Sequence, residues 1–142
     1  DMSLEKVEFQ RDVEGVEWTA RVERAERRGK EIRLLSLDVV GIGSEQQRWS
    51  LQAPTGLFLE EGRKALLSEV RGSVATGETV AFFEAPEAEW SEGATEVLFV
   101  DGAAFRRGDF FFEGNSVRVS FSGVFSAEKG ASFTWIMPEN TE

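Results

Sequence analysis

The sequence predicts an all-β, antiparallel domain built of long hairpins, and two observations carry that prediction. Hydrophobic residues alternate with polar ones over most of the chain, as where Trp18, Ala20 and Val22 are each separated by one polar residue. A period of two places one face of a strand against a core and the other face in water. Glycines beside polar residues punctuate these stretches about 15 residues apart up to Gly108, which leaves strands of roughly ten residues between tight turns.

Further strands follow in the same way along the chain. Alternation is also clear at residues 35–39, 116–122 and 131–135. Residues 23–28 and 63–70 compete as helices, because charged residues and leucines there could fall at helical spacing. Each segment is too short to be stable as an isolated helix and has a glycine at its edge, so both are predicted to be strand arms.

A degenerate repeat connects these strands. The pattern Trp49-x-Leu51-x-Ala53-x-x-Gly56 has three further copies, and the interval between copies is about 30 residues. Such an interval in a two-strand unit indicates stacked hairpins. The Ala-Pro pair at Pro54 recurs at Pro86, and a proline removes one backbone donor, which predicts a bulge or a sheet edge there. The other copies begin at Trp18, Ala81 and Phe110.

Small residues occupy inward positions of these repeats, at Ala53, Gly56, Ala85, Ala88 and Gly114. They either let two sheets pack closely or, with the inward aromatic residues, leave an apolar slot for a long-chain ligand. The same side chains serve as plain core in the first case and line the slot in the second. The candidates are Trp18, Trp49, Leu51, Phe83, Phe110, Phe112, Val119 and Phe121. In the run Phe110-Phe111-Phe112, the middle side chain is predicted to lie on the opposite face from the other two.

Composition excludes several classes of function. A net charge of −10 over 142 residues argues against nucleic acid and against unaided docking on an anionic membrane. The chain has no Cys and no His, so it lacks thiolate metal sites and the usual general base, and no metal or cofactor is predicted. Acidic residues at Asp101, Asp109 and Glu113 match no metal-loop spacing. The arginine pairs at 27–28 and 106–107 could hold lipid phosphates or simply aid solubility.

The order of several segments resembles a known family. These segments read EGVEWTA from Glu14, RWSLQA from Arg48, VRGSV from Val70, EAPEAEW from Glu84 and FVDG from Phe99, and a glycine-bounded stretch up to Asn115 and a closing hairpin follow. Over residues 14–135 this set is similar to LptC, the membrane-anchored periplasmic component of lipopolysaccharide export. LptC shares its OstA-like repeat with the bridge protein LptA.

This resemblance implies a twisted, partly open β-jelly roll that is not an enzyme and takes lipid acyl chains into its interior. Such a domain would receive lipopolysaccharide from an inner-membrane ABC transporter and pass it to a periplasmic bridge of LptA-like jelly rolls. Edge strands near residues 17–24 and 133–137 would pair with these neighbours, or with copies of the same chain. Positions expected to shape the sheet or its partner edges are Gly56, Gly72, Gly114, Asn115, Phe133 and Trp135.

The resemblance also sets the expected boundaries. Residues 1–13 are expected to be a lead-in, residues 14–137 the β-jelly-roll domain, and residues 138–142 a tail. The expected location is the periplasm, with an inner-membrane anchor helix that would precede residue 1.

Two other functions fit the residues without the resemblance. One is a glycan-binding or glycan-cleaving β-sandwich that uses exposed Trp90 and Trp135 as a platform beside acidic residues. The other is a structural β-domain that assembles through its edges and binds no ligand.

Overall fold

The computed structural model describes residues 2–44, 46–127 and 130–135 as one antiparallel sheet of twelve strands. The all-β prediction is therefore confirmed. The strands are β1 Met2–Val13, β2 Val16–Arg28, β3 Glu31–Ile42, β4 Arg48–Leu59, β5 Lys64–Thr76, β6 Thr79–Ser91, β7 Glu96–Phe99, β8 Ala103–Arg107, β9 Phe110–Gly114, β10 Val117–Ser120, β11 Phe125–Ala127 and β12 Ala131–Trp135.

The first six strands form a meander and the last six divide into two branches. Strands β1 to β6 have 12 or 13 residues each and pair in sequence order. One half of β6 then pairs with β7, which leads through β10 to β11. The other half of β6 pairs with β8, which leads through β9 to β12. Among the described strands, β1, β11 and β12 each have a neighbour on one side only.

The N-terminal part of the domain differs from the expectation. Residues 2–13 were expected to be a lead-in, but they form β1, which pairs with β2 from Met2↔Arg27 to Val13↔Val16. The prediction of an edge strand near residues 17–24 is therefore wrong, because β2 has β1 on one side and β3 on the other. Charged residues are frequent in β1 and obscure its alternation in the sequence. Charged side chains are common on exposed edge strands, because they disfavour unwanted pairing with other chains.

Both segments with helical competitors are strands, as predicted, within β2 and β5. The repeat is confirmed for the copies that begin at Trp18, Trp49 and Ala81, because these occupy the alternate long strands β2, β4 and β6. The copy at Phe110 lies in β9, which has only five residues. The stacked long hairpins therefore end at Ser91, and shorter strands complete the roll.

A row of residues, one in each of strands β1 to β6, crosses the meander, and we call this row the crease. The alternation of inward and outward side chains changes phase at this row in each strand. Ladder pairs keep the same register on both sides of the row but skip the row itself, as between Leu35↔Thr55 and Leu37↔Ala53. Three of its residues have left-handed backbones, with φ of 52°, 58° and 53° at Lys6, Ser36 and Glu69. Across the six strands the crease consists of Lys6, Glu23, Ser36, Pro54, Glu69 and Pro86.

The crease explains the Ala-x-x-Gly spacing of the repeat. Ala53 and Gly56 both face the buried side although they are three residues apart, since two consecutive outward residues separate them. Leu34 and Leu37 show the same spacing in β3. The irregularity predicted at Pro54 is confirmed, but the strand is central rather than an edge. Proline suits this position because no ladder pair forms there.

Aromatic rings occupy the space that the inward glycines leave. A Cβ atom on Gly72 would meet the carbonyl oxygen of Ser50 and lie 2.6 Å from Cζ of Phe83. A Cβ atom on Gly41 would lie 2.7 Å from the ring of Trp18. These glycines therefore let rings lie directly on the backbone of the sheet.

The left-handed backbone at the crease is testable at Glu69, which is exposed and has a φ of 53°. Substitution Glu69→Val is expected to lower the free energy of unfolding by on the order of 1–2 kcal/mol, because a β-branched residue is strained at positive φ. Glu69→Asn should stay within about 0.5 kcal/mol of the wild type, since Asn tolerates this conformation. Urea unfolding measures both. Arg71→Val, also exposed in β5 but with ordinary φ, is the control, and an equal loss at 69 and 71 would contradict the assignment.

Candidate functional site

An aromatic cluster closes the half of the inner face that lies around Trp49. The Trp49 side chain is 1% exposed, and its Nε1 donates a hydrogen bond to the backbone oxygen of Phe121 at 3.0 Å. Rings of Trp18 and Phe121 lie 4.8 Å apart between centroids, and rings of Phe83 and Phe99 lie 5.4 Å apart. Tilted and edge contacts of this kind are favourable arrangements for aromatic rings. This half of the interior is filled by packing.

All eight slot candidates belong to or pack against this hydrophobic core. Trp18 and Phe110 are partly buried and are the two candidates with surface left for a ligand. The remaining six are already covered by protein, so a lipid would have to displace neighbours to reach them. Whether they contact lipid stays a prediction. These six are Trp49, Leu51, Phe83, Phe112, Val119 and Phe121.

The inner face is open at its other end, where β1 carries exposed apolar side chains. Leu4 is 52% exposed and Phe9 is 50% exposed, yet both share the inner face, because they pair with Ala25 and Ala20. Val7 lies between them, is partly buried, and packs against the core. We call these three residues the open end.

Sequence reasoning missed the open end for a specific reason. Leu4 and Val7 are three residues apart, so a strict period of two does not join them. The crease at Lys6 restores both to one face. The signal that could have found them is the same three-residue spacing that separates Ala53 from Gly56.

An ion-pair cluster ties the edge strand to the rest of the roll. The guanidinium of Arg11 in β1 lies 2.5 Å from Oε1 of Glu92 in the turn after β6, and that of Arg63 lies 2.8 Å from Oε2. Hydrogen bonds from Arg63 and then from Arg11 hold the pKa of Glu92 below its usual range. The same contact raises the pKa of Arg63. The carboxylate of Glu92 thereby connects β1, through Arg11, to the turn before β5, through Arg63.

The glycines expected to shape the sheet lie inside it. Gly56 and Gly72 are in β4 and β5, which have neighbours on both sides, so their place is in packing rather than at a partner edge. Gly114 in β9 pairs with Ala103 and Ala131, and a Cβ atom there would lie 2.5 Å from Cγ2 of Val117.

The remaining edge positions lie near the C-terminal end. Asn115 is exposed, and its backbone nitrogen donates to the oxygen of Gly130 at 3.3 Å. Phe133 and Trp135 belong to β12, which pairs with β9 alone among the described strands. The expected edge strand therefore lies where it was predicted over residues 133–135, and residues 136–137 and the tail at 138–142 lie outside the described residues.

The outer face carries an arginine between two phenylalanines. Phe111 points away from the buried Phe112, as predicted, and the guanidinium carbon of Arg106 lies 5.4 Å from the Phe111 ring. Phe82, which is 60% exposed, pairs with Arg106 across the strands. In the other arginine pair, Arg27 forms an ion pair of 2.6 Å with Glu60.

The three acidic residues singled out in the sequence lie in different surroundings. Asp101 meets Glu87 instead, and a hydrogen bond between the two carboxyl groups, together with their mutual repulsion, raises the pKa of Glu87. Asp109 and Glu113 are exposed. Among residues 2–44, 46–127 and 130–135, no three acidic side chains converge to hold a metal ion.

A groove of about 1100 Å³ follows the crease on the outer face. Its lining includes Pro54, Pro86 and Glu69 of the crease and the exposed side chains of Glu84 and Asp101. The lining mixes polar and apolar groups and differs in this from the inner face.

The aromatic platform expected of a glycan-binding domain does not form at Trp90. Its side chain is partly buried against the core, and its Nε1 donates to the backbone oxygen of Ala94 at 2.9 Å. Trp135 lies in β12, and its side chain is outside the described part of the structure. The described part of the chain also contains no helix with the length and hydropathy needed to span a membrane.

Comparison with solved structures identifies the fold. The chain matches the crystal structure of LptH from Pseudomonas aeruginosa, described as the LptA-homologous periplasmic component of the conserved lipopolysaccharide transport device. The TM-score is 0.59 at 13% identity, over 85% of this chain and 95% of that one. This chain has the LptA-like β-jelly-roll fold. Comparisons with protein-family models and with curated protein sequences found no match.

The Arg11–Glu92–Arg63 cluster predicts a pH dependence of stability. The pKa of Glu92 is lower in the folded than in the unfolded chain, so its contribution is present above the unfolded-state pKa and lost as pH falls through the folded-state pKa. Glu92→Gln should therefore unfold at lower urea concentration than the wild type at pH 7. The two proteins should converge once the pH has fallen below the lowered folded-state pKa of Glu92.

Two controls accompany this measurement. Glu61→Gln alters an exposed turn residue and should leave the pH profile unchanged. Added salt should reduce the difference at pH 7, because the ion pairs are partly exposed. A difference between Glu92→Gln and the wild type that persists unchanged at acidic pH would contradict the ionic origin.

Proposed function

We propose that this chain is a non-enzymatic carrier domain that binds lipopolysaccharide or a similar acylated amphiphile on its inner face and passes it between edge-paired neighbours. The observation that carries the proposal is an apolar inner face that continues from a packed core to the edge strand β1, which has a neighbour on one side only among the described strands. The row through Phe9, Ala20 and Val39 runs by strand register to Leu51 and Gly72. Acyl chains need such a continuous apolar track.

The open end supplies the ligand-accessible part of this track. Leu4 and Phe9 leave about half of their surface exposed on the inner face of a highly charged chain. Exposed apolar residues that cluster on one face indicate a site for a lipid or a protein partner. An acyl chain on these residues would extend the hydrophobic core outward without disturbing the packed half.

The free edges supply a means of transfer. Strands β1 and β12 lie at the edges of the described sheet, and an added strand at either edge would continue its backbone hydrogen bonds. In this proposal the neighbours are an inner-membrane ABC transporter and an LptA-like bridge protein, and the domain works in the periplasm behind an N-terminal anchor. The resemblance to LptC over residues 14–135 and the LptA-like fold support this placement.

Two phenylalanines on opposite faces allow a matched test of ligand binding. Phe9→Asp places a charge on the inner face, and Phe82→Asp places one on the outer face, at positions that are 50% and 60% exposed. We expect Phe9→Asp to weaken binding of purified lipopolysaccharide by at least roughly tenfold, because a carboxylate beside an acyl chain must be desolvated. Phe82→Asp should bind as the wild type does. Native mass spectrometry measures the adduct, and circular dichroism checks that both variants are folded.

The outcomes separate the carrier from the alternatives. Equal weakening by both variants would point to a general loss of structure or to binding elsewhere. A wild type that binds no acylated lipid would contradict the carrier function and leave a structural β-domain.

Edge pairing is testable because the chain has no native cysteine. The double variant Glu8→Cys with Thr134→Cys places one thiol in β1 and one in β12. Edge-to-edge association predicts disulfide-linked dimers and longer ladders on oxidation, visible on non-reducing gels. Ser132→Cys in place of Thr134→Cys samples the neighbouring register.

A matched pair controls for random collision. Lys30→Cys lies in the turn between β2 and β3, and its combination with Glu8→Cys should give few ladders. Equal ladder formation by the control pair would contradict pairing through the two edges.

A further inference from the structure

We propose that the indole N–H of Trp18 donates a hydrogen bond to the carbonyl oxygen of an ester- or amide-linked acyl chain. This inference rests on the proposed carrier function and names the protein atom that binds the polar end of the acyl chain. It rests on a comparison among tryptophans, on the position of Trp18 at the open end, and on the chemistry of the one donor it offers.

The tryptophans differ in how their indole nitrogens are satisfied. Trp49 donates to the oxygen of Phe121 at 3.0 Å, and Trp90 donates to the oxygen of Ala94 at 2.9 Å. Trp18 Nε1 has less than 1 Å² of exposed surface and no hydrogen-bond partner among the described residues. Buried polar groups in folded proteins nearly always have a partner, and an exception calls for an explanation. Trp18 therefore offers a donor that is already desolvated.

Trp18 lies where the packed half of the inner face meets the open end. On one side its ring is 4.8 Å from Phe121 and 5.9 Å from Trp49, between centroids. On the other side its register partner is Arg11 of the edge strand, one row from the exposed Phe9. A chain lying on Phe9 thus brings the atoms at its end to Trp18.

The edge strand is the side of this donor with the fewest neighbouring strands, although Arg11 there is held by its ion pair with Glu92. Strand β1 has only β2 beside it among the described strands, and the Arg11 side chain is 51% exposed. In this proposal the chain approaches from the β1 side and displaces Arg11 from Glu92, because displacement of Trp49 or Phe121 would break the buried hydrogen bond.

The chemistry of the donor selects the ligand group. An indole N–H donates and does not accept, so its partner must carry an acceptor oxygen. Acyl chains reach a headgroup through an ester or amide, whose carbonyl oxygen is a stronger acceptor than an ether oxygen. The expected preference is therefore for ester-linked over ether-linked chains of the same length.

The test uses Trp18→Phe and Trp49→Phe with two probes, a diacyl glycerophospholipid and its dialkyl ether analogue of equal chain length. Trp18→Phe loses ring packing but no hydrogen bond to the described residues, so its urea midpoint should fall less than that of Trp49→Phe. Trp49→Phe removes a bonded donor and should unfold at lower urea concentration. For binding, we expect the wild type to favour the ester by roughly five- to tenfold and Trp18→Phe to lose that preference.

Each outcome has a distinct meaning. An ester preference lost in Trp18→Phe but retained in Trp49→Phe supports the inference. Equal ester-to-ether ratios in the wild type and Trp18→Phe overturn it while leaving the carrier function intact. A urea midpoint for Trp18→Phe that falls as far as that for Trp49→Phe also overturns it, since loss of the Trp18 N–H would then cost as much as loss of a bonded donor. Failure of the wild type to bind either probe or lipopolysaccharide overturns the carrier function itself.

Discussion

The crease is the constraint on which the rest of the structure depends. Six strands keep one register on both sides of it, so the reversal of inward and outward side chains must occur at the same level in each of them. A reversal in only one strand would turn its apolar residues to water, because side chains alternate strictly between faces. The left-handed residues Lys6, Ser36 and Glu69 alternate across the sheet with strands that contain Glu23, Pro54 and Pro86. Residues of different types at the crease thus all reverse which side chains of their strand face inward.

The crease also divides β6 into two halves that pair with different strands. One half of β6 leads into β8 and β9, and the other leads into β7 and β10, so the two branches fold over the meander from different ends. They bury Phe99, Val117 and Val119 completely. At the far end of the meander, Leu4 and Phe9 of β1 receive no such cover. A packed core and an open apolar face therefore follow from the same sheet.

The sequence predicted what alternation can reveal and missed what depends on topology. Long strands, their turns and the outward Phe111 follow from a period of two, and the repeated Ala-Pro pair marked the crease as an irregularity. A left-handed Glu69 carries no sequence signal, since Glu is not a turn residue. The exposure of Phe9 depends on which strand lies at the edge, and that is known only once all pairings are known. The unpartnered Trp18 nitrogen is likewise a property of packing, because Trp18 and Trp49 begin copies of the same repeat and yet only Trp49 finds an acceptor among the described residues.

If the domain is a carrier as proposed, the packing of one half of its interior couples binding of the acyl chain to pairing with a neighbouring domain. The packed rings around Trp49 leave no room for an acyl chain, so the chain would lie across Phe9 and Leu4 and project past the edge of β1. A neighbour paired with β1 would extend the apolar face beneath that chain and shield it from water. The edge that exposes the ligand is then also the edge that recruits the partner. Affinity for the amphiphile and affinity for the neighbour should rise together, because each covers apolar surface that the other would otherwise leave exposed.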